Sequence, residues 1–147
     1  PSVNLVTVAY GDDLSDKSYR EAVGLLKTYP ELKVIVSPSS VGIVAAAQAV
    51  KDQGKIGKVY VTGLGLPSEM AGAVKSGASK SFAIWNPIDL GYAATYLADD
   101  LVKGTATKGE ASMGRLGKVK LDADGNGAMA EPFVYDASNI DKFSKIF

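Results

Sequence analysis

The chain has 147 residues, 46% of them hydrophobic and 22% charged, with 16 Lys and Arg against 16 Asp and Glu. That length and apolar content suit one packed core, and the balanced charge leaves no electrostatic footprint for nucleic acid or an anionic membrane surface. There is no Cys and no His, which removes disulfides, thiol nucleophiles, Cys-ligated zinc and imidazole acid–base chemistry together. Charged or small residues interrupt every apolar stretch well short of the roughly 20 residues of a membrane span.

The chain opens on Pro1-Ser2-Val3-Asn4 and passes almost at once into a β-rich run at residues 5–10, ended by Gly11-Asp12-Asp13. With no basic-then-apolar leader in front of it, the expectation is a chain whose leader has been removed or that begins part-way through a longer protein. Ser15 or Asp16 caps a helix that carries Tyr19, Ala22, Val23, Leu25 and Leu26 at helical spacing and stops before Pro30. Val34-Ile35-Val36 is continuous and β-branched, as in a parallel strand buried on both faces. Ser39 or Ser40 then caps an Ala-rich helix over residues 41–52, closed by Gln53-Gly54. Val59-Tyr60-Val61 is the next strand, followed by Pro67 at a first helical position and Glu69 in the first turn of a short helix that ends near Ser76-Gly77. Residues 82–85 are the fourth strand, and Asp89 begins a longer helix running to Lys103-Gly104. Residues 105–112 read as polar loop, then 116–121 and 128–135 as two strands around a turn at 122–127.

Three strand-to-helix transitions concentrate the polar chemistry. Residues 33–37 run into Pro38-Ser39-Ser40, 58–62 into Gly63-Leu64-Gly65-Leu66, and 81–85 into Asn86-Pro87. In an open, doubly wound parallel sheet, loops at the carboxyl ends of the strands converge on one edge, where ligands bind. Hydroxyls, one amide, exposed backbone and the indole of Trp85 suit a small polyhydroxylated molecule. An enzyme would need a positioned acid, base or nucleophile, and no such pair stands at two strand ends together.

Each of these residues has a simpler role beside the functional one. Ser39 and Ser40 are good helix caps, Trp85 can be core, Asn86-Pro87 can be a strand-ending turn, and Asp89 complements a helix dipole. The run Gly63-Leu64-Gly65-Leu66-Pro67-Ser68 is not a dinucleotide fingerprint, because Ser68 replaces the third glycine and no acid follows at a strand end. The turn at 122–127 follows the first half of a calcium loop, but Phe133 stands where the bidentate Glu belongs and strands flank it. Asp12-Asp13 with Asp16 reads as loop and cap chemistry. No metal and no cofactor is expected.

Four segments in order carry a family resemblance: residues 10–30 from Tyr10-Gly11-Asp12-Asp13 to Tyr29-Pro30; 34–43 around Ser37-Pro38-Ser39-Ser40; 62–70 around Gly63-Leu64-Gly65-Leu66-Pro67; and 83–91 around Trp85-Asn86-Pro87-Ile88-Asp89. Together the chain resembles the carboxyl-terminal half of the type I periplasmic sugar-binding proteins of bacterial ABC importers, in the branch that binds rhamnose and the furanosyl autoinducer signal. The resemblance implies an α/β, Rossmann-like, open and mostly parallel sheet with helices on both faces, plus a C-terminal β-hairpin. It implies residues 1–87 as a ligand-binding lobe lacking its first strand and helix, 88–104 as a crossover helix that packs on the absent lobe, and 105–147 as hinge segment, hairpin and tail. The chain is thus expected to be a fragment.

Carried over residue by residue, the resemblance implies ligand contacts at Pro38, Ser39, Ser40, Gly63, Leu64, Gly65, Trp85 and Asn86, with Pro87 and Asp89 at the hinge. Ribose-type relatives have Asp where Ser39 stands, and a hydroxyl cannot accept two strong sugar hydrogen bonds as a carboxylate does. That departure points away from ribose and toward a deoxy sugar, whose apolar face the Trp85 indole suits. The implied partners are a small sugar, a membrane permease and the missing N-terminal lobe or a second copy of the chain, with no nucleic acid, in the periplasm. The alternatives are a receptor for the furanosyl signal or the effector domain of a sugar-responsive regulator.

Overall fold

In a computed structural model, residues 3–106 and 109–146 are described. The elements in chain order are α1 (Ser15–Thr28), β1 (Val34–Ser37), α2 (Ser40–Asp52), β2 (Tyr60–Gly63), α3 (Pro67–Ser76), β3 (Ser81–Ile84), α4 (Pro87–Lys103), β4 (Glu110–Ser112), β5 (Lys118–Lys120), β6 (Phe133–Asp136) and α5 (Ile140–Phe143). They fall into two compact units, Pro1–Ile84 with Val134–Phe147, and Trp85–Phe133. The segment after residue 133, expected to belong with the hairpin and tail, therefore groups with the first unit.

In the first unit β1 and β2 are parallel, in a register that sets Ser37 beside Gly63. One residue on, Leu64 forms a parallel bridge with Ala83 of β3, and β6 pairs with β3. Alternate residues Val61, Phe82 and Ile84 point into a core shared with Ile43 and Val50 of α2, Met70 of α3, Tyr135 and Ile140. Phe82 and Tyr135 stack at 5.4 Å between centroids. The caps follow from sequence: Ser39 caps α2, and Gly54 ends it with its N–H on the Lys51 carbonyl while the Lys55 N–H bonds the Val50 carbonyl. Pro67 opens α3, and Gly77 ends it in the left-handed region.

Gly63 sets the register. Its φ is +137°, and a Cβ there would lie 1.9 Å from the Ser37 carbonyl oxygen. Only glycine permits that approach, which leaves the Leu64 N–H free to donate to the same oxygen at 3.0 Å.

Several local expectations are corrected. Leu14, not Ser15 or Asp16, occupies the N-cap position of α1, without a side-chain cap bond. The run at residues 5–10 has strand composition but joins no ladder among the described residues, and Leu5 is 77% exposed; β propensity needs a neighbouring strand before it becomes structure. Val34 and Val36 are exposed rather than buried, at 46% and 67%, because β1 packs its Ile35 face on the core and leaves the opposite face open.

The second unit holds α4 and an antiparallel hairpin of β4 and β5, with Ser112 opposite Lys118 and a short 3-10 turn at Gly114–Leu116 between them. The expected loop at 105–112 thus contains a strand, and the hairpin lies one element earlier than the pairing of 116–121 with 128–135; Thr107 and Lys108 lie outside the described residues. Two contacts account for the shift. Ala111 is buried with Ala93, Met113 and Val119, and the Ser112 N–H donates to the Asp100 carboxylate at 2.7 Å. Among the described residues no helix is long and apolar enough to cross a membrane.

Gly63→Ala should destabilise the chain by at least about 2 kcal/mol, since it adds both a clash and a strained φ. Gly72→Ala, in the middle of α3 where a Cβ meets nothing within 4 Å, should instead stabilise by about 0.5–1 kcal/mol. Urea unfolding of the two variants checks the contrast.

Candidate functional site

Parallel pairing brings the ends of β1, β2 and β3 level, so Pro38, Ser39, Ser40, Leu64 and Gly65 leave the sheet at its carboxyl edge. Their polar groups are already organised. The Ser39 hydroxyl accepts from the Gly42 N–H at 3.0 Å and donates to the Asp13 carboxylate. One lone pair of that oxygen remains for a further donor. Ser40 is the first residue of α2 and Pro38 is exposed. The Ser37 hydroxyl donates to the Ser39 carbonyl at 3.3 Å, and the Thr62 hydroxyl to the Ser81 carbonyl at 2.9 Å.

Leu64 is half-buried in its bridge, and Gly65 is buried, where a Cβ would meet Met70, Ile43 and Phe82. Gly63 and Gly65 therefore have full structural reasons to be glycine, whatever they touch beyond the chain.

In the sequence Asp13 reads as loop and cap chemistry. Asp12 and Asp13 both have left-handed φ, 53° and 56°, a conformation that Asp tolerates better than most residues. The turn is held by an Asp12–Lys17 ion pair and by the Leu14 N–H on the Gly11 carbonyl. It sets a carboxylate beside Ser39, where the chain otherwise lacks one.

Trp85 and Asn86 open the second unit directly after β3. Trp85 is 36% exposed, so it is not a core residue. Asn86 is the N-cap of α4, which begins at Pro87, two residues before the expected Asp89. Its Oδ1 accepts from the N–H of Ile88 at 3.0 Å and of Asp89 at 3.5 Å, and its Nδ2 donates to Asp89 Oδ2 at 3.1 Å. The other oxygen of Asp89 accepts from Arg115. The Arg115 guanidinium also lies 4.6 Å from the Tyr92 ring centroid, and the Arg115 backbone N–H donates to the Tyr92 hydroxyl at 3.2 Å. Hydrogen bonding to Tyr96 holds the Tyr92 phenol below its ordinary pKa and pushes Tyr96 up. Nothing in the sequence marks Arg115, which falls between the polar loop at 105–112 and the strand expected at 116–121.

Among the described residues no group of three or more His, Cys, Asp or Glu converges as metal ligands. In the turn at 122–127, the Asp122 carboxylate accepts from the N–H groups of Asp124 and Asn126. A cavity of about 490 Å³ lies between residues 7–10 and α1, and one of about 170 Å³ between α2 and α3; neither is lined by a strand-end residue named above.

The family model of the periplasmic binding protein domain matches residues 1–106. The chain belongs to the periplasmic binding protein family. Among solved structures, a sugar ABC transporter protein from Actinomyces odontolyticus is 41% identical, with TM-score 0.79 over 95% of this chain and 46% of that one. An ABC transporter solute-binding protein from Clostridium phytofermentans with bound L-rhamnose is 36% identical, with TM-score 0.83 over 98% of this chain and 50% of that one. At fold level only, LsrB from Clostridium saccharobutylicum in complex with AI-2 matches at 17% identity, with TM-score 0.76 over 91% of this chain and 46% of that one. The chain thus spans about half the length of these relatives. The α/β fold class and the resemblance to sugar-importer binding proteins hold, and the family is one of solute binding rather than catalysis.

Ser39→Ala should cost about 1 kcal/mol through the lost cap of α2, measured by thermal unfolding. In the second unit, the Ser112 N–H, then the Thr105 hydroxyl, hold the Asp100 carboxyl below its ordinary pKa. A lowered folded pKa makes a contribution that is complete above the unfolded value and lost as pH falls through the folded one. Asp100→Asn should therefore be less stable than the parent at neutral pH, and its stability should fall less below about pH 4. Unfolding midpoints across pH 2–7, on the order of ten points, test this.

Proposed function

We propose that the chain is the sugar-binding, carboxyl-terminal lobe of a two-lobed solute-binding receptor for an ABC importer, working outside the cytoplasm in the periplasm. The observation that carries this is the level alignment of three parallel strand ends, Ser37 with Gly63 and Leu64 with Ala83, whose loops offer neutral hydroxyl and backbone groups. A chain of balanced charge with such groups favours a neutral, hydroxylated ligand over an ion. The partners are that sugar, a membrane permease, and a second lobe that supplies the remaining contacts; nucleic acid is not among them.

The ligand is proposed to be a rhamnose-like deoxy sugar; the proposed contacts are Ser39, Ser40 and the backbone at 63–65 in the first unit and, taken separately, Trp85 and Asn86 in the second, with Pro87 and Asp89 proposed for the hinge. Two arguments support it. The relative from Clostridium phytofermentans holds L-rhamnose, and the exposed Trp85 indole matches the apolar face and methyl group of such a sugar.

Calorimetric titration of the two-lobed protein with L-rhamnose, ribose and the furanosyl signal should find rhamnose tightest, with Kd of about 1 µM or below. Trp85→Ala should weaken it at least ~10-fold, about 1.4 kcal/mol, while the chain alone binds far more weakly because part of the hydrogen-bonding set is absent. Tightest binding of the furanosyl signal would replace the sugar and keep the receptor; no binding of any of the three would overturn the reading.

A further inference from the structure

The amide of Asn86 has only one chemically allowed orientation. Turned over, its NH2 would face the Ile88 and Asp89 N–H donors, and its oxygen would face the Asp89 carboxylate, which only accepts. As it stands, both acceptor positions of Oδ1 face backbone N–H groups, and one Nδ2 hydrogen goes to Asp89. Among the described residues the second Nδ2 hydrogen has no partner. Asp89 is itself fixed from the other side: Arg115 donates to Oδ1 while Asn86 donates to Oδ2. The Arg115 guanidinium lies in turn over the Tyr92 ring, and the Arg115 backbone N–H donates to the Tyr92 hydroxyl.

A free Asn side chain reads both donors and acceptors. This one is restricted to donation, its oxygen held by the two backbone N–H groups it caps and its NH2 by the Asp89 carboxylate. We propose that Asp89, anchored by Arg115, is a positioning residue that locks the Asn86 amide as a one-way donor, so that Asn86 recognises an acceptor oxygen of the bound sugar. The proposal rests on the sugar-binding reading above. It narrows the ligand class to molecules that place a hydroxyl or ring oxygen against Asn86 and rejects those that place only a donor or an apolar carbon there. Such a mismatch leaves a polar group unpaired on closure, which is the costly kind of discrimination.

The test exchanges the two side chains in the two-lobed protein. N86D keeps a good capping oxygen but sets two carboxylates together and removes the donor; both stability and rhamnose affinity should fall. In the double variant N86D/D89N the internal hydrogen bond re-forms with its direction reversed and the cap remains. Its unfolding midpoint should return toward that of the parent while its affinity stays at least ~10-fold down, because no side-chain N–H remains at position 86. D89N alone has one carbonyl oxygen to serve both Asn86 and Arg115, so one of those bonds is lost and affinity should drop several-fold. A purely structural role for the pair predicts recovery of both stability and affinity in the double variant, and that result overturns the proposal. Loss of binding in the variants alone is distinct from failure of the parent to bind any sugar, which overturns the sugar-binding reading and this inference with it.

Discussion

The close approach of Gly63 to the backbone of Ser37 is the constraint on which the rest of the first unit depends. A side chain there would collide with a carbonyl oxygen at 1.9 Å, so the absence of one is what lets β1 and β2 stay paired to their last residues. That pairing hands the Ser37 carbonyl to the Leu64 N–H and carries Leu64 into its bridge with Ala83. Three strands consequently end level, and the loops that follow them begin from one edge. Packing secures the arrangement from below, through Val61, Phe82 and Ile84 on the core face and the stacked Phe82–Tyr135 pair.

Polar side chains at these loops serve local structure first. The Ser39 hydroxyl caps α2 and the Asn86 amide caps α4. Each is therefore pinned by backbone N–H groups, which removes the rotamer entropy that a free side chain would lose in the proposed binding. The residual capacity of each is narrow: one lone pair on Ser39 and one N–H on Asn86. A group with one remaining hydrogen bond in a fixed direction discriminates ligands more sharply than a mobile one, because it cannot turn to suit the wrong molecule. The caps and the proposed recognition chemistry are thus the same atoms under two constraints.

Much of this was legible in the chain itself. The Ser39 and Pro67 starts, the Gly54 and Gly77 stops and the β-branched strands are local signals with local causes, and they hold. The relation among four short motifs carried the family, which the match over residues 1–106 bears out. What failed to read was pairing. The run at 5–10 has the composition of a strand but lacks a ladder, Val34 and Val36 look buried but face outward, and β4 sits in a segment of polar loop composition. Each depends on what lies beside it, and composition carries no such information.

By itself, then, the sequence determined the run of elements from α1 to α4, the helix signals at Ser39, Pro67, Gly54 and Gly77, the α/β class and the neutral hydrogen-bonding character of the strand-end loops, because these rest on propensity, capping and residue chemistry within a few positions. The tertiary structure decided which strands meet, that Asp13 comes to Ser39, and that Arg115 reaches Asp89 from 26 residues away. Those contacts join segments distant along the chain, and their directions arise only when backbone register and packing place donor opposite acceptor.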